Sequence, residues 1–309
     1  MTKSLFFCII NLTWTQRRVV PHHSSLRPFF CQGNIMQENT QPLISIQPYF
    51  VMGASDFCQR LFIENGISHF FSFSNKSGHD LTVPLLVDGC SNLIFEYKDG
   101  CVRTHLIGCT IEKRTFSVKK DAEYFGVRLQ PSVTKFVKEY TPKEIIGNII
   151  ILDELESTKE FCRKMGEQKD FDSRISTFLQ EYSKFQSGGQ SAKSELFKQI
   201  SDIIIERKGI VKVSELEELS GYSARYLNKI FDSELGMSTK QLCNTVKFQF
   251  LLGDLNKHNM ENLTSIASEY NFYDQAHFIH EFKEFTGKTP KEYTNEVEEK
   301  KYSDSIKDI

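Results

Sequence analysis

The chain has 309 residues, which is more than one small domain needs and suits roughly two domains of about 150 residues each. Its hydrophobic content of 39% and charged content of 25% are typical of a globular protein, and a net charge of -2 excludes a chain that is basic throughout. No apolar run approaches the ~20 residues that a membrane-spanning helix needs, so we predict no membrane partner.

Residues 1–40 are interpreted as a poorly structured N-terminal extension. The apolar run from Ser4 to Trp14 follows Lys3 as in a signal peptide, but no small-residue cleavage site comes after it. Met36 precedes the first strand-like pattern and is a candidate alternative start. A signal peptide and a docked structural segment stay open as alternatives.

The eight cysteines are scattered, without a CxxC pair and without histidines at zinc-finger spacing. In a chain of this length that spacing favours the reduced thiols of a cytoplasmic protein over a disulfide framework. The front part has His69, His79 and His105, none of them in a His-x-His pair. Metal sites need converging ligands, so we predict no metal, no cofactor and no catalytic residue. A metal-dependent β-barrel enzyme is the weaker alternative.

Residues 41–153 are predicted to form a β-rich, sensor-like domain, a small cupin-like barrel or sandwich. Six runs of β-branched and aromatic residues carry this prediction: Phe70–Phe73, Leu81–Val87, Leu93–Tyr97, Val102–Ile107, Arg114–Val118 and Phe125–Leu129. Asp99-Gly100 between two runs indicates a tight hairpin. Thr141 to Glu144 supplies a cap, a proline and a glutamate in the order that opens a short helix.

Residues 154–186 have a helical pattern of apolar residues and are interpreted as a connector. The pattern fits helices that pack on their own domain and equally helices that pair two copies of the chain. A Gly- and Ser-rich linker at 187–192 separates this front part from an all-α domain predicted at 193–295. A charged tail follows at 296–309. The predicted fold class is therefore α+β, with a β-rich domain followed by a helical one.

An internal repeat organises the helical domain. Four residues recur at one constant spacing, with Leu227, Phe231, Gly236 and Ser238 matched by Phe278, Phe282, Gly287 and Thr289. Three upstream residues recur at a spacing one residue shorter, with Leu216, Gly221 and Tyr222 matched by Ile266, Asn271 and Phe272. Each copy is predicted to be a helix, a tight turn and a second helix.

Local chemistry supports the helix boundaries. Ser214 to Glu217 is predicted to be a capping box that opens the first helix, and Ser238 to Gln241 one that opens a long connecting helix. Gly221 and Asn271 stand where a helix must end and reverse, a place that favours positive φ. The residues predicted to cap the second helices are Ser223 and Asp274. This arrangement is the helix-turn-helix pattern, twice.

These residues resemble the DNA-binding domain of AraC/XylS-type regulators over about Ser194–Tyr293. The matching segments are Ser223–Phe231 in the first copy and, in the second, Ile266-Ala267, Asn271–Phe278, Phe282-Lys283, Gly287, Pro290 and Tyr293. The front part resembles a β-rich domain of unassigned function, through Pro84–Phe95, Leu106–Gly108 and Gly126–Pro131. The resemblance implies a bacterial, sequence-specific transcription regulator, usually an activator. Its candidate partners are double-stranded DNA, RNA polymerase, an unknown small-molecule effector and a second copy of the chain.

Helical geometry divides each second helix into a buried and an exposed side. The N-terminal part of such a helix enters the major groove, where Asn and Gln can bond adenine edges and Arg and Lys guanine edges. The residues predicted to contact DNA are Arg225, Asn228, Lys229, Lys247, Gln275, Ala276, His277, Ile279, His280 and Lys283. Lys247 and His280 stand where the family usually has Arg, and neither has the guanidinium fork.

The connecting helix is predicted to act as a rigid spacer. About 18 residues give ~27 Å, and the width of the flanking helices brings the two second helices to roughly one DNA turn apart, so one chain is predicted to read two successive major-groove segments. Acidic residues outnumber Lys and Arg between Lys193 and Tyr293, so non-specific affinity should be modest. That charge balance is the main support for the alternative, an adaptor that kept the scaffold without binding DNA.

Overall fold

The computed structural model describes residues 43, 45–131, 133, 137–185, 191–257 and 263–309. The predicted extension at 1–40 and residues 187–190 of the predicted linker lie outside these ranges. At the end of that linker, Ser191 and Ala192 already cap and open a helix. Within the described ranges no helix is long and apolar enough to cross a bilayer.

Strands dominate the front domain. In chain order they are β1 (Ser55–Leu61), β2 (Ile67–Ser74), β3 (Leu81–Leu85), β4 (Ser91–Lys98), β5 (Cys101–Ile107), β6 (Arg114–Val118), β7 (Glu123–Leu129), β8 (Ile149–Ile151) and, at the chain end, β9 (Lys307–Asp308). One sheet has the order β8-β5-β4-β7-β2-β1-β9, and β3 pairs with β6 in a second. The pairs are antiparallel except β1 with β9, which is parallel.

The two sheets pack against each other through aromatic side chains. The Phe116 ring of β6 lies 6.2 Å from the Tyr124 ring of β7 and 5.4 Å from the His105 ring of β5, centroid to centroid. Phe116 and Tyr124 are 3% and 0% exposed, so each removes nearly its whole apolar surface from water. This packing confirms the predicted β-rich domain.

The six predicted strand runs all overlap strands of the structure. Lys98 pairs with Cys101 across the predicted hairpin turn, where Asp99 and Gly100 have φ of 51° and 75°, as a tight primed turn requires. The sequence analysis missed β1, β8 and β9. β8 and β9 are very short, and β1 buries only Phe57, so none of the three has the alternating pattern of a half-buried strand.

Four helices belong to the front domain and its connector: α1 (Pro48–Gly53), α2 (Pro142–Ile145), α3 (Lys159–Gly166) and α4 (Phe171–Phe185). The predicted box at α2 is present, since the Thr141 N–H donates to Glu144 Oε2 at 2.8 Å. The outer face of the large sheet is covered by α3 and α4, with the Phe161 ring 5.7 Å from Phe95 and the Phe178 ring 5.7 Å from Phe70. These two helices of the predicted connector therefore pack on their own domain.

Seven helices form the C-terminal domain in the described residues: α5 (Ala192–Glu206), α6 (Val213–Ser220), α7 (Ala224–Glu234), α8 (Thr239–Lys257), α9 (Leu263–Glu269), α10 (Gln275–Thr286) and α11 (Pro290–Glu299). The first helix-turn-helix unit is α6–α7 and the second is α9–α10. The 19 residues of α8 connect the units and give a rod of about 28 Å. A β-rich domain followed by this all-α domain confirms the predicted fold class.

The predicted repeat is visible in the backbone. Gly221 and Asn271, which end the first helix of each unit, have φ of 73° and 52°, and Gly236 and Gly287, which follow the second helices, have φ of 82° and 83°. The left-handed conformation is easy for glycine and tolerated by asparagine. The predicted box at the start of α8 is also present, since the Ser238 N–H donates to Gln241 Oε1 at 2.8 Å.

The capping box predicted at Ser214 to Glu217 is wrong. The helix begins two residues earlier than predicted, with Lys212 as N-cap and no side-chain cap. Glu217 points the other way along the chain, and its Oε1 accepts the Ala224 N–H at 2.5 Å. A carboxylate at the first N–H of α7 satisfies an orphan donor of that helix and meets the positive end of its dipole. This contact competes with the reciprocal bond that a capping box requires.

The segment predicted as a charged tail has structure. α11 runs to Glu299, and the last residues return to the front domain as β9 on the edge of the large sheet. The Ile309 N–H donates to Gln59 O at 3.0 Å, and Arg60 Nε donates to Ile309 O at 3.0 Å. Backbone pairing therefore connects the chain end to β1, although its side chains are polar.

Candidate nucleic-acid interface

Each second helix begins at a side-chain cap. Ser223 Oγ accepts the Tyr226 N–H at 3.4 Å at the start of α7, and Asp274 Oδ1 accepts the His277 N–H at 2.7 Å at the start of α10. At α7 the Glu217 carboxylate also accepts the Ala224 N–H. At α10 one side chain satisfies only part of the first-turn donors, so other N–H groups there stay available to an anion such as a DNA phosphate.

The outer side of α7 carries the residues predicted for it. Arg225, Asn228 and Lys229 are exposed, while Leu227 and Phe231 on the opposite side are completely buried. The Asn228 side chain also forms a hydrogen bond within the protein, in which its Oδ1 accepts the Thr239 N–H at the start of α8 at 3.1 Å. Its amide NH₂ is the part that remains to meet a base edge.

The outer side of α10 matches its predicted residues with one difference. The exposed ones are Gln275, Ala276, His277, His280 and Lys283. Ile279 is half-buried and packs partly against the hydrophobic core, so it is less open than the other residues predicted on α10. A helix that buries a wide stripe draws in the residue beside its central apolar positions.

Lys247 lies on α8 in a half-buried position, as Ile279 does on α10. Its Nζ is 4.0 Å from the centroid of the Phe272 ring, which belongs to the turn before α10. Burial lowers the pKa of the Lys247 amine, and the Glu281 carboxylate acts in the opposite direction. This ammonium group therefore faces an aromatic ring of its own domain.

The front domain contacts the carboxyl-terminal part of both second helices. Lys143 of α2 pairs with Asp232 near the end of α7, with 2.7 Å between Nζ and Oδ2. Lys113 Nζ donates to the Lys283 backbone oxygen near the end of α10, at 3.2 Å. A cation is favoured at the negative end of a helix dipole. These contacts leave the N-terminal turns of α7 and α10 exposed.

Free cations line the exposed surface. Arg225, Lys229 and Lys240 are exposed and form no ion pair with any carboxylate that the structure describes. Arg207 is different, since it pairs with Glu215 of α6 at 3.2 Å. Basic groups without a protein partner are available to phosphates, although the domain as a whole is not basic.

Exposed aromatic residues were missed by the sequence analysis. The Tyr222 and Tyr226 rings stack at 5.0 Å beside the start of α7, and Tyr273, directly before the cap of α10, is 92% exposed. Tyr222 and Tyr273 each directly precede the residue that caps the second helix, and this shared place was the available signal. Tyrosine hydroxyls commonly contact DNA phosphates, so these rings extend the candidate surface beside both helices.

The histidines of the front domain do not form a metal site. His69 is buried beside Ser68, and His105 Nε2 is 3.8 Å from the Glu96 carboxylate. Throughout the described ranges, no group of three or more His, Cys, Asp or Glu side chains is placed to hold a metal ion.

Two family models match the chain. Residues 216–296 match a helix-turn-helix domain, and residues 60–150 match a domain of unknown function, DUF6597. The two resemblances inferred from the sequence are thereby confirmed. The chain thus contains a helix-turn-helix domain of the AraC type, preceded by a DUF6597 domain.

Relatives of the helical domain include uncharacterized HTH-type transcriptional regulators from two strains of Staphylococcus aureus. Each is 36% identical over 83 residues, which is 27% of this chain and 11% of the relative. The chain thus spans about a tenth of the length of the curated relatives it matches.

Solved structures with a weaker likeness include two of ToxT from Vibrio cholerae. One superposes with a TM-score of 0.40 at 12% identity, over 78% of this chain and 99% of ToxT. The other, unsaturated fatty acid bound wild-type ToxT, has a TM-score of 0.37 at 12% identity, over 77% of this chain and 93% of ToxT. At this level of likeness no property of ToxT transfers to the chain.

Proposed function

We propose that the chain is a sequence-specific transcription regulator, an activator, that reads two successive major-groove segments with α7 and α10. The observation that carries the proposal is the repeated surface. Two capped helices, each with an exposed polar N-terminal part, belong to one continuous domain joined by α8. A regulator of this kind acts in the cytoplasm, where bacterial DNA is found.

The proposal assigns roles by chemistry. Arg225 and Lys229 would meet guanine edges or phosphates, and Asn228 and Gln275 adenine edges. Ala276 and the partly exposed side of Ile279 suit the thymine methyl group. The remaining assigned contacts are His277, His280 and Lys283, whereas Lys247 packs on Phe272 and is left out of the proposed surface.

The spacing of the two units supports binding on one face of the duplex. A rod of about 28 Å between the units, plus the width of the flanking helices, is close to the ~34 Å of one DNA turn. If the rod stays straight, the DNA must bend slightly for both helices to enter their grooves.

The decisive experiment selects duplexes from a random pool with the full chain and measures their affinity by gel shift. We expect an enriched site with two half-sites about one turn apart, bound roughly a thousandfold more tightly than random duplex. A pool that shows no enrichment, together with no retention of random duplex at low salt, would contradict DNA binding and favour the adaptor alternative.

Two partner assignments accompany the proposal. RNA polymerase is the partner that activation requires. Reconstituted transcription from a promoter with the selected site tests this partner, and we expect more transcript when the chain is present. A second copy of the chain is a further candidate partner, since pairing would double the DNA contact. Sedimentation with and without the selected duplex measures how many copies associate.

A further inference from the structure

A cavity of about 310 Å³ lies where the front domain meets the helical domain. Its walls come from β1, β2 and β7 of the large sheet, from residues 43–51, from α8, and from the chain end at 302–308. This volume is at the lower end of the range for small-molecule sites. The function of the described DNA-reading surface does not require it.

Most of the cavity wall is apolar and aromatic. The side chains that would surround an apolar ligand are those of Leu43, Phe50, Phe57, Phe71, Phe250 and Ile306. Phe57 and Phe71 are stacked, with 6.0 Å between centroids, and both are almost fully buried. Such a wall favours a flat or slender apolar body.

One cation lies in this wall. Arg128 is only 3% exposed, and its Nε donates to Asn92 Oδ1 at 2.7 Å while Nη1 donates to Ser45 O at 2.8 Å. Both acceptors are uncharged. Nη2 has no hydrogen-bond acceptor among the described residues, and no described carboxylate forms an ion pair with the guanidinium group. A buried charge without a counter-charge is costly.

The nearest buried acid is already engaged. Asp88 is reached from Arg128 only through the Ser45 hydroxyl, which donates to Asp88 Oδ2 at 2.9 Å. Gln47 Nε2 and the Cys90 N–H also donate to Asp88, at 2.9 and 3.1 Å. Three donors therefore share this carboxylate, and the guanidinium group is not directly paired with it.

The other polar groups of the wall leave the charge of Arg128 unmatched. Burial and the Arg128 charge lower the pKa of His69 well below its ordinary 6.5, so His69 is neutral. Asp254 accepts the Tyr270 hydroxyl at 2.5 Å, and Asp308, which is exposed, accepts Gln59 Nε2 at 2.8 Å. Both acids are less buried than Arg128 and have their own donors.

We propose that this cavity binds a small carboxylate with an apolar, aromatic body, whose carboxylate pairs with Arg128 and whose body lies among the phenylalanine rings. A carboxylate would supply both the missing acceptor of Nη2 and the missing negative charge. A cationic group beside Arg128 would be repelled, and an uncharged one would leave the guanidinium unpaired.

The site is positioned to affect the DNA-reading domain. Gln249 of α8 is 1% exposed in the cavity wall, and it accepts the Ile46 N–H at 2.6 Å and donates to Val87 O at 2.9 Å. A ligand against Ser45 and Arg128 would therefore lie beside Ile46, whose N–H bonds α8, the helix that connects the two helix-turn-helix units. Regulation of DNA affinity by this ligand rests on the proposed function, whereas binding does not.

The test is calorimetric titration of the full chain at pH 7 with 3-phenylpropanoate and with the matched 3-phenylpropanamide. We expect the acid to bind about tenfold more tightly than the amide, the difference expected when a charged group replaces a neutral one at a buried cation. Arg128→Gln should remove this preference. Arg103→Gln, an exposed arginine on β5, should keep it.

A second variant covers the case in which Arg128→Gln does not fold. Ile306 is only half-buried, so Ile306→Trp should fill the cavity from the chain end without removing a buried hydrogen bond, and it should abolish binding of the acid. Equal affinity for acid and amide, no binding of either, or acid binding that survives Ile306→Trp would overturn the proposal. Gel shifts without any ligand test DNA binding separately, so the two failures are distinguishable.

Discussion

Lys247 and Phe272 connect the rod to the second helix-turn-helix unit, with the ammonium nitrogen 4.0 Å from the ring centroid. The sequence pattern assigned Lys247 to DNA, but this geometry gives it a contact within the protein. A cation–π contact of about 1 kcal/mol and the cost of partly burying an amine oppose each other. The charge of Lys247 is therefore expected to matter little for stability.

Lys247→Met keeps the stem and removes the charge. We expect the free energy of unfolding to change by at most about 1 kcal/mol and the salt dependence of DNA binding to stay as in the wild type. Phe272→Ala, which removes a buried ring, should cost about 3 kcal/mol or more. A salt slope lowered by about one unit in Lys247→Met would show that Nζ contacts a phosphate after all.

Arg225→Ala and Gln275→Ala test the two reading helices separately. Because both side chains are exposed at helix starts, each change should weaken binding to the selected site by about 1–3 kcal/mol in gel shifts and leave the protein's stability unchanged. Lys198→Ala is the matched control, since Lys198 is exposed but pairs with Asp202 on α5. Unchanged affinity in both variants would contradict the assigned surfaces.

Gly221 and Asn271 test the two turns. An added Cβ at Gly221 would meet no atom within 4 Å, so Gly221→Ala isolates the cost of φ at 73°, about 1–2 kcal/mol. Asn271→Gly should be neutral or slightly stabilising at φ of 52°. Urea unfolding midpoints measure both. If Asn271→Gly lowers the stability, the asparagine side chain itself stabilises the turn, in addition to tolerating the left-handed backbone conformation.

Glu181 should contribute to acid sensitivity. Hydrogen bonds from Lys184 and Lys164, at 2.7 and 3.0 Å, lower the pKa of Glu181 below its ordinary 4.5. A carboxylate whose pKa is lower in the folded state stabilises it above the unfolded pKa, and this contribution is lost as pH falls through the folded pKa.

The stability difference between wild type and Glu181→Gln should therefore be larger at pH 7 than at pH 3. Glu156→Gln is the control, because Glu156 is 92% exposed and 3.7 Å from Lys159. Thermal unfolding across this pH range measures the difference. A constant difference would show that the charge of Glu181 is not responsible.

Gln249 tests the contact between the domains. Gln249→Leu keeps the approximate volume but leaves the Ile46 N–H and the Val87 carbonyl without their partner, which should cost about 1–3 kcal/mol. Gln199→Leu on the exposed side of α5 should cost almost nothing. Chemical unfolding compares them, and equal stabilities would mean that water replaces the lost bonds.

Features that depend on neighbouring residues could be predicted from the amino-acid sequence. The repeat, the left-handed turns at Gly221 and Asn271, the caps at Ser223 and Asp274 and the Asp99-Gly100 hairpin all follow from local backbone preferences. The predicted capping box at Ser214 to Glu217 was wrong because another donor competed for it: the Ala224 N–H donates to the Glu217 carboxylate.

Contacts between residues far apart in the chain could not be predicted and became visible in the fold. It placed β9 on β1, packed α3 and α4 on their own sheet, put Lys247 over Phe272, and enclosed Arg128 in a cavity shared with α8. Apolar periodicity indicates that one face of an element is buried, but it does not identify the element that covers this face. The sequence also does not show whether a charged residue in a strand, such as Arg128, is buried. Those outcomes depend on how the whole chain packs, which no local pattern records.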